Sequence, residues 1–338
     1  MTAAGAGVAG RLEDYLALRD LTAAERRQRL RHAFSHQPAI IQKWLRKAAW
    51  RSPFRHMHYV PPAVAIKPAA DGGWVLRRRV VGSPEIVTRP LGGLRDLSDR
   101  PATVVATGPS ANSYDWSGLA GRQRVIWAVN GAPTMLAARG LGCDFLIVTD
   151  HRFARDGTGH IELAVNQGAT LVFSYEAAAG FAATRPDLLE RAPFHVFEKA
   201  NAWYGLPALD AARLTAMNAA SGHPFVLPET PKPGVGWSRD PLVGVFAGRT
   251  VTFAALQLAV WSGARDIEVI GLDLGGKARA YDETNPAVSH LEAEKRDFIL
   301  PSFRCLARAL AGGPVRITNL SEISALPRDL VPAVAAPP

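Results

Sequence analysis

Thr103-Val104-Val105-Ala106-Thr107-Gly108-Pro109-Ser110 is the stretch on which the reading of this chain turns. A short apolar, β-branched run passes straight into a Gly-Pro-Ser turn, as a strand buried on both faces does before a helix. Three runs of the same kind follow: Val125-Ile126-Trp127-Ala128-Val129, Phe145-Leu146-Ile147-Val148 and Thr170-Leu171-Val172-Phe173. Such nearly continuous apolar runs suit a parallel sheet with helices on both faces. Residues 250–260 then read as a helix stopped by Gly263, and Ile267-Glu268-Val269-Ile270-Gly271-Leu272-Asp273 as another strand. A helix over residues 291–310 and a strand at Val315-Arg316-Ile317-Thr318 finish the pattern. The expected fold is α/β, a Rossmann-like, mostly parallel sheet flanked by helices.

Working outward, residues 96–328 are expected to form this nucleotide-binding domain. Within it, residues 176–245 lose the rhythm at Pro186, Pro193, Pro207, Pro224, Pro228, Pro231, Pro233 and Pro241, and read as an insertion or lid. Residues 329–338, Ala/Pro-rich from Val331, are expected to be a disordered tail. Residues 1–95 read as a basic helical extension followed by short strands. In residues 11–60, Leu12, Leu30, Phe34, Ile41 and Trp44 are interleaved with Arg26, Arg27, Arg29, Arg31, Lys43, Arg46 and Lys47. Such a stretch either lies peripherally on an anionic membrane or is a solvated helix packed on its own domain. Pro61 and Pro62 end it, and Gly73-Trp74-Val75-Leu76-Arg77-Arg78 reads as a strand or hairpin.

The 338 residues are 48% hydrophobic and 20% charged, an ordinary globular balance, and the net charge of +9 favours a polyanionic partner. Nucleic acid, an anionic membrane and an anionic substrate all satisfy that charge. Cys143 and Cys305 are the two cysteines and make no C-x-x-C pair, which fits a reducing compartment and argues against a disulfide framework or structural zinc. No signal-peptide pattern and no apolar run of about 18 residues is present, so the expected location is cytoplasmic, with the inner face of the cytoplasmic membrane as a peripheral site.

The candidate site residues lie where the strands end. The turn after the first strand falls at the carboxyl edge of the sheet, where α/β folds bind ligands. There Gly108 would let a phosphate approach the backbone, and Ser110 would offer a hydroxyl and an N–H to an anion. An ordinary strand-to-helix turn, capped by Asn112 or Ser113, has the same sequence appearance. Neither the G-x-G-x-x-G nor the P-loop pattern is present. Asn130, ending the second strand, either contacts a nucleotide or makes a local turn. Asp150 and Asp273 also end strands, where they would hold Mg²⁺ or cap loops. His290, just before the long helix, is of the residue type that takes a proton from a hydroxyl near neutral pH. His56 and His58 flank Met57 without evident companion metal ligands.

Taken in order, these segments resemble the bacterial sialyltransferases of glycosyltransferase family 42 and related enzymes that use CMP-activated acidic sugars. The family's Asn-Gly-Pro-Ser turn resembles Thr107-Gly108-Pro109-Ser110, and its strand-end Asn resembles Asn130. Its helix and strand ending Gly-Ile-Asp resemble Thr250 through Gly271-Leu272-Asp273, and its Tyr and His before a long helix resemble Tyr281 and His290. The resemblance spans roughly residues 101–326 and leaves out the N-terminal hundred. It implies that Thr107, Gly108, Pro109, Ser110, Asn130 and Asp273 belong to the donor site and that His290 is the general base. Tyr281, Thr250, Ser110 and Arg249 would steady the departing phosphate, so that no metal is required. The implied reaction is inverting transfer of a sialic acid-like or 3-deoxy-octulosonate-like sugar from a CMP-sugar donor to a hydroxyl of lipopolysaccharide, capsule or a similar glycan. Nucleic acid is not an expected partner on that reading. Thr107 departs from the family's Asn, Gly275 stands where a second Tyr is often found, and the Asp273–His290 segment is short. The rival readings are an ATP- and Mg²⁺-dependent pterin diphosphokinase-like enzyme using Asp150 and Asp273, and a non-catalytic basic protein that binds membrane or nucleic acid.

Overall fold

A computed structural model describes residues 52–119, 121, 123–275, 279–281 and 291–331. The basic segment 11–51 and residues 332–338 lie outside the described residues. A 3₁₀ helix, Ser52–Tyr59, leads into an antiparallel meander of β1 (Val64–Pro68), β2 (Trp74–Arg78) and β3 (Glu85–Val87). The main domain then runs β4 (Ala102–Val105), β5 (Val125–Val129), α1 (Ala132–Ala137), β6 (Phe145–Val148), α2 (His151–Asp156) and α3 (Thr158–Asn166). It continues with β7 (Thr170–Ser174), α4 (Tyr175–Thr184), α5 (Pro186–Arg191) and β8 (Phe194–Phe197). After α6 (Ala211–Ala220) and a small hairpin of β9 (Phe225–Val226) and β10 (Trp237–Ser238), α7 (Val251–Trp261) leads to β11 (Asp266–Ile270). Helix α8 covers residues 291–310 with a π-helical segment at Lys295–Ile299, and β12 (Arg316–Asn319) and β13 (Asp329–Val331) close the described chain.

Eight strands form one sheet in the order β13-β12-β11-β4-β5-β6-β7-β8, parallel throughout except for β13. The apolar runs account for this. Every residue of β4, β6 and β8 is buried, because side chains alternate between two faces and both faces are covered. Val104, Trp127, Ile147 and Val172 face one core with α7 and the Phe303–Leu306 side of α8. Val105, Ala128, Leu146 and Phe173 face the other, shared with α4. Phe54, Met57, Ile66, Trp74 and Leu76 join that second core, so the described part of the N-terminal region packs onto the same domain.

Two sequence expectations change. Residues 176–197 of the expected insertion are regular structure, forming α4, α5 and β8. Pro186 occupies the first turn of α5, where a missing N–H costs nothing, and Pro193 stands just before β8. The irregular part, beyond β8, is tied down by buried Trp237 and Phe246 and by Gln257 of α7. The Gln257 amide accepts the N–H groups of Ser238 and Phe246 at 3.1 Å each and donates to the Phe246 carbonyl at 2.6 Å. The second change is at the tail, where residues 329–331 form β13 against the open edge of β12 instead of being disordered.

From β4 the chain winds outward through β8, then returns to place β11 on the other side of β4. The reversal makes the carboxyl ends of β11 and β4 the topological switch point, the ordinary ligand crevice of such sheets.

Candidate functional site

The Gly108 turn sits at that switch point. Its N–H donates to the Gly271 carbonyl at 3.0 Å, and Ala106 N–H donates to Ile270 at 2.8 Å. A Cβ at residue 108 would stand 2.5 Å from the Gly271 oxygen and collide with the Asp273 carboxylate. With φ at −70° the glycine is needed for space and not for an unusual backbone angle. Asp273 is buried, and its carboxylate accepts the Ser110 N–H at 2.9 Å, the Ser110 hydroxyl and the Ser321 hydroxyl. Both Ser110 groups expected to face an anion are therefore committed to Asp273. The carboxylate fastens the β4 turn to the ends of β11 and β12. Ser321 escaped the sequence reading, and its one signal is its place just after β12.

Asn130 ends β5 with φ of +49°, a left-handed conformation that asparagine tolerates, and its side-chain oxygen is buried without a hydrogen bond. Beside it the Tyr281 ring lies against Gly131, so close that a Cβ there would come within 2.5 Å of ring carbon Cε1. Ala280 N–H donates to the Thr107 carbonyl at 3.0 Å, which lays residues 279–281 across the ends of β4 and β5. Thus Thr107, Gly108, Pro109, Ser110, Asn130 and Tyr281, more than 170 residues apart at the extremes, meet at one place. The His160 ring meets Tyr281 edge-on at 5.0 Å, stacks on Phe153 at 5.7 Å, and has its Nδ1 2.6 Å from the Thr134 hydroxyl. Gly131, Thr134 and His160 were missed because nothing local in the sequence points to Tyr281.

Arg249 and Thr250 sit at the start of α7. Thr250 is the N-cap residue, with no capping bond from its side chain. Arg249 Nε lies 3.0 Å from Glu294, and its guanidinium lies 4.7 Å from the Phe298 ring centroid. Both partners belong to α8, which starts at the residue after His290. His290 itself lies outside the described residues.

Farther along the edge, Asp150 caps α2, accepting the Arg152 N–H at 2.8 Å and its guanidinium at 2.9 Å. Burial pushes the Asp150 carboxyl up, but hydrogen bonds and charge from Arg152 and the charge on His151 outweigh it and hold the group below its usual range. His151, 3.4 Å from Asp150, is lowered to about 4, first by burial and against the pull of Asp150. Glu176, in the first turn of α4 just after β7, is buried and paired with Lys199 beyond β8 at 2.8 Å.

Asp150 and Asp273 do not share a cation. They end β6 and β11, with β4 and β5 between, a separation of about 14 Å at the usual strand spacing. Among the described residues no group of three or more His, Cys, Asp and Glu is arranged to hold a metal ion. His56 Nε2 instead meets the Trp203 carbonyl at 3.1 Å, and His58 Nδ1 meets that of Arg55. No helix among the described residues is long and apolar enough to cross a membrane.

No protein-family model matches the chain. Over 104 residues it is 36% identical to a probable 3-deoxy-manno-octulosonic acid transferase of Escherichia coli, a match covering 30% of this chain and 35% of that protein. The chain therefore spans about a third of the length of that relative. Among solved structures, the MAf glycosyltransferase of Magnetospirillum magneticum is 18% identical, with a TM-score of 0.40 and coverage of 68% of this chain and 32% of that one. Sialyltransferase CstII of Campylobacter jejuni, solved with the substrate analogue CMP-3FNeuAc, is 15% identical, with a TM-score of 0.38 and coverage of 67% and 83%. The chain is similar to sugar transferases in each of these comparisons.

Proposed function

We propose that this protein is an inverting glycosyltransferase that moves a sialic acid-like or 3-deoxy-octulosonate-like sugar from a CMP-sugar to a glycan hydroxyl. The observation that carries this reading is the meeting of the Thr107–Ser110 turn, Asn130 and Tyr281 at the switch point. These are the positions whose order resembles the CMP-sugar transferases. The partial match to a probable 3-deoxy-manno-octulosonic acid transferase supports the acidic-sugar class and a lipopolysaccharide-type acceptor.

In the proposed reaction the acceptor oxygen attacks the anomeric carbon and a new C–O bond forms. The bond from that carbon to the phosphate oxygen breaks, CMP leaves with the electron pair, and His290 takes the acceptor proton. Inversion follows from a single displacement. Asn130, whose side-chain oxygen has no partner within the protein, would receive a donor group of the nucleotide. The Tyr281 hydroxyl would steady the departing phosphate, together with Thr250 and Arg249, a hydrogen-bonding and cationic set that does the work without a metal. Because Asp273 takes up both donors of Ser110, its part is to hold the turn's shape, and Ser110 would act through that shape. The basic stretch of residues 11–60 would bring the enzyme to an anionic membrane bearing a lipid-linked acceptor.

The test is a thermal-shift panel of CMP, UDP, GDP and ATP, followed by transfer from CMP-3-deoxy-octulosonate and CMP-sialic acid. CMP alone should raise the melting temperature, since a ligand bound only by the folded state stabilises it. His290→Ala should lower kcat by about 10²–10⁴-fold, the usual contribution of a general base. Undiminished transfer by that variant overturns the assignment of the base, and a response to ATP but not CMP overturns the donor class.

A further inference from the structure

The β6–β8 end of the same carboxyl edge carries polar groups for which the donor reading has no use. Glu176 follows β7 in the first turn of α4, is 1% exposed, and accepts Lys199 Nζ at 2.8 Å. Its other oxygen accepts no hydrogen bond, and the neighbouring Tyr175 hydroxyl, fully buried, makes none either. A buried ion pair adds little stability, because desolvation offsets the attraction, and apolar side chains of similar size would fill the space as well. The pair therefore calls for an explanation other than folding.

Two members of the cluster reach the surface, Lys199 with 25% and His151 with 27% of the side chain exposed. Tyr59, contributed by the N-terminal 3₁₀ helix and 38% exposed, sets its ring 4.5 Å from that of His151, with the His58 ring tilted against it at 3.8 Å. Tyr59 and His151 are thus in ring contact, and Lys199 is near enough for its charge to act on the His151 imidazole. Their charges cancel locally: Glu176 pairs with Lys199, and Asp150 pairs with Arg152 at 2.9 Å. Burial keeps His151 uncharged at neutral pH, since its pKa is lowered to about 4. Such a surface has no net positive charge to offer a phosphate or carboxylate. It offers directed hydrogen bonds and an aromatic face, which suit a neutral ring bearing several hydroxyls. Asp150–His151, the end of β7 and Lys199 succeed Asn130 strand by strand at about 4.8 Å per step, so the cluster adjoins the proposed donor site and runs for about 10 Å.

We infer that the β6–β8 end of the edge is the acceptor subsite, where a hydroxylated sugar ring lies against Tyr59 and hydrogen-bonds to Lys199 and His151, with Glu176 as the positioning residue that holds Lys199. The inference rests on the CMP-sugar reading above. It also gives the N-terminal region, which lies outside the family resemblance, a part in choosing the acceptor.

The experiment uses the full-length protein saturated with CMP and a delipidated lipopolysaccharide core oligosaccharide as the probe. Saturation-transfer NMR gives the oligosaccharide Kd, and calorimetry gives the CMP Kd. Tyr59→Ala and Lys199→Met should each raise the oligosaccharide Kd at least tenfold while the CMP Kd stays within twofold. A merely structural role would shift both constants together. If Lys199→Met fails to fold because it strands Glu176, the Lys199→Met/Glu176→Met double variant removes both charges and should show the same split. Wild-type oligosaccharide affinity in Tyr59→Ala and the double variant overturns the subsite and leaves the donor reading standing. Wild-type protein that binds CMP but not the oligosaccharide also overturns the subsite, whereas absence of CMP binding overturns the donor reading and the subsite together.

Discussion

At the β11–β4–β5 end of the sheet edge a single buried carboxylate is satisfied entirely by uncharged donors, whereas the β6–β8 end sets opposite charges against each other beside exposed rings. In the first region Asp273 accepts from Ser110 and Ser321, and glycines 108 and 131 let backbone and ring approach more closely than any Cβ permits. In the second, Glu176 with Lys199 and Asp150 with Arg152 leave polar groups at the surface. The first is a fitted cradle with fixed dimensions, and on the proposed reading it would take the nucleotide, the part of the donor that never varies. The second offers adaptable contacts, and on the inference above it would take the acceptor.

The largest expected effect comes from breaking the cradle. Asp273→Ala strands the Ser110 N–H and two hydroxyls near the core, at about 1–3 kcal/mol for each unsatisfied group, so a loss of several kcal/mol should appear in urea unfolding. The Lys199→Met/Glu176→Met double replacement at the other end should be neutral or stabilising in the same experiment. Equal losses at both ends would abolish the contrast.

Acid should separate the two ends next. His151 and His195, the latter buried in β8 with Nδ1 3.1 Å from the Pro90 carbonyl, are both lowered to about 4, chiefly by burial. The unfolded chain binds their protons near pH 6.5, while the folded chain does so near pH 4. The stabilisation is therefore complete above pH 6.5 and is lost as the pH falls toward 4, by up to about 3 kcal/mol for buried His195 and by less for the partly exposed His151. Urea midpoints between pH 7 and 4 should fall steeply, and His195→Asn should flatten part of that slope. An unchanged slope in that variant would remove His195 from the account.

Gly131→Ala is subtler. Residue 131 has φ of −78°, which alanine adopts readily, so stability should hold to within about 1 kcal/mol. Tyr281, however, must leave its seat, and CMP affinity should fall about tenfold or more by calorimetry. Wild-type CMP affinity would remove Tyr281 from the proposed donor site. The smallest effect is expected at the thiols. Cys143, pushed up to about 12 by burial and then by Asp144, and Cys305, also raised by burial, should resist thiol reagents until the protein unfolds.

The sequence was most informative where the cause is local. Continuous apolar runs give β4 through β7 because burial on both faces needs no polar alternation, and a Gly-Pro-Ser turn at the end of the first run places a ligand edge. Prolines misled where a residue type was read without its position: Pro186 starts a helix, Glu176 lies in the first turn of α4, and Lys199 lies just beyond β8.

The sequence by itself determined the class of sheet and singled out Gly108, Asn130 and Tyr281, which the fold brings together. Only the tertiary structure decided what those residues do. Ser110 and Asp273 are 163 residues apart, and the strand order alone brings them within hydrogen-bonding distance. The Tyr281 seat on Gly131 and the Glu176–Lys199 pair arise in the same way, from neighbours across the sheet edge. Local patterning encodes burial and turns, whereas the pairing of polar groups is set by which strand ends the fold places side by side.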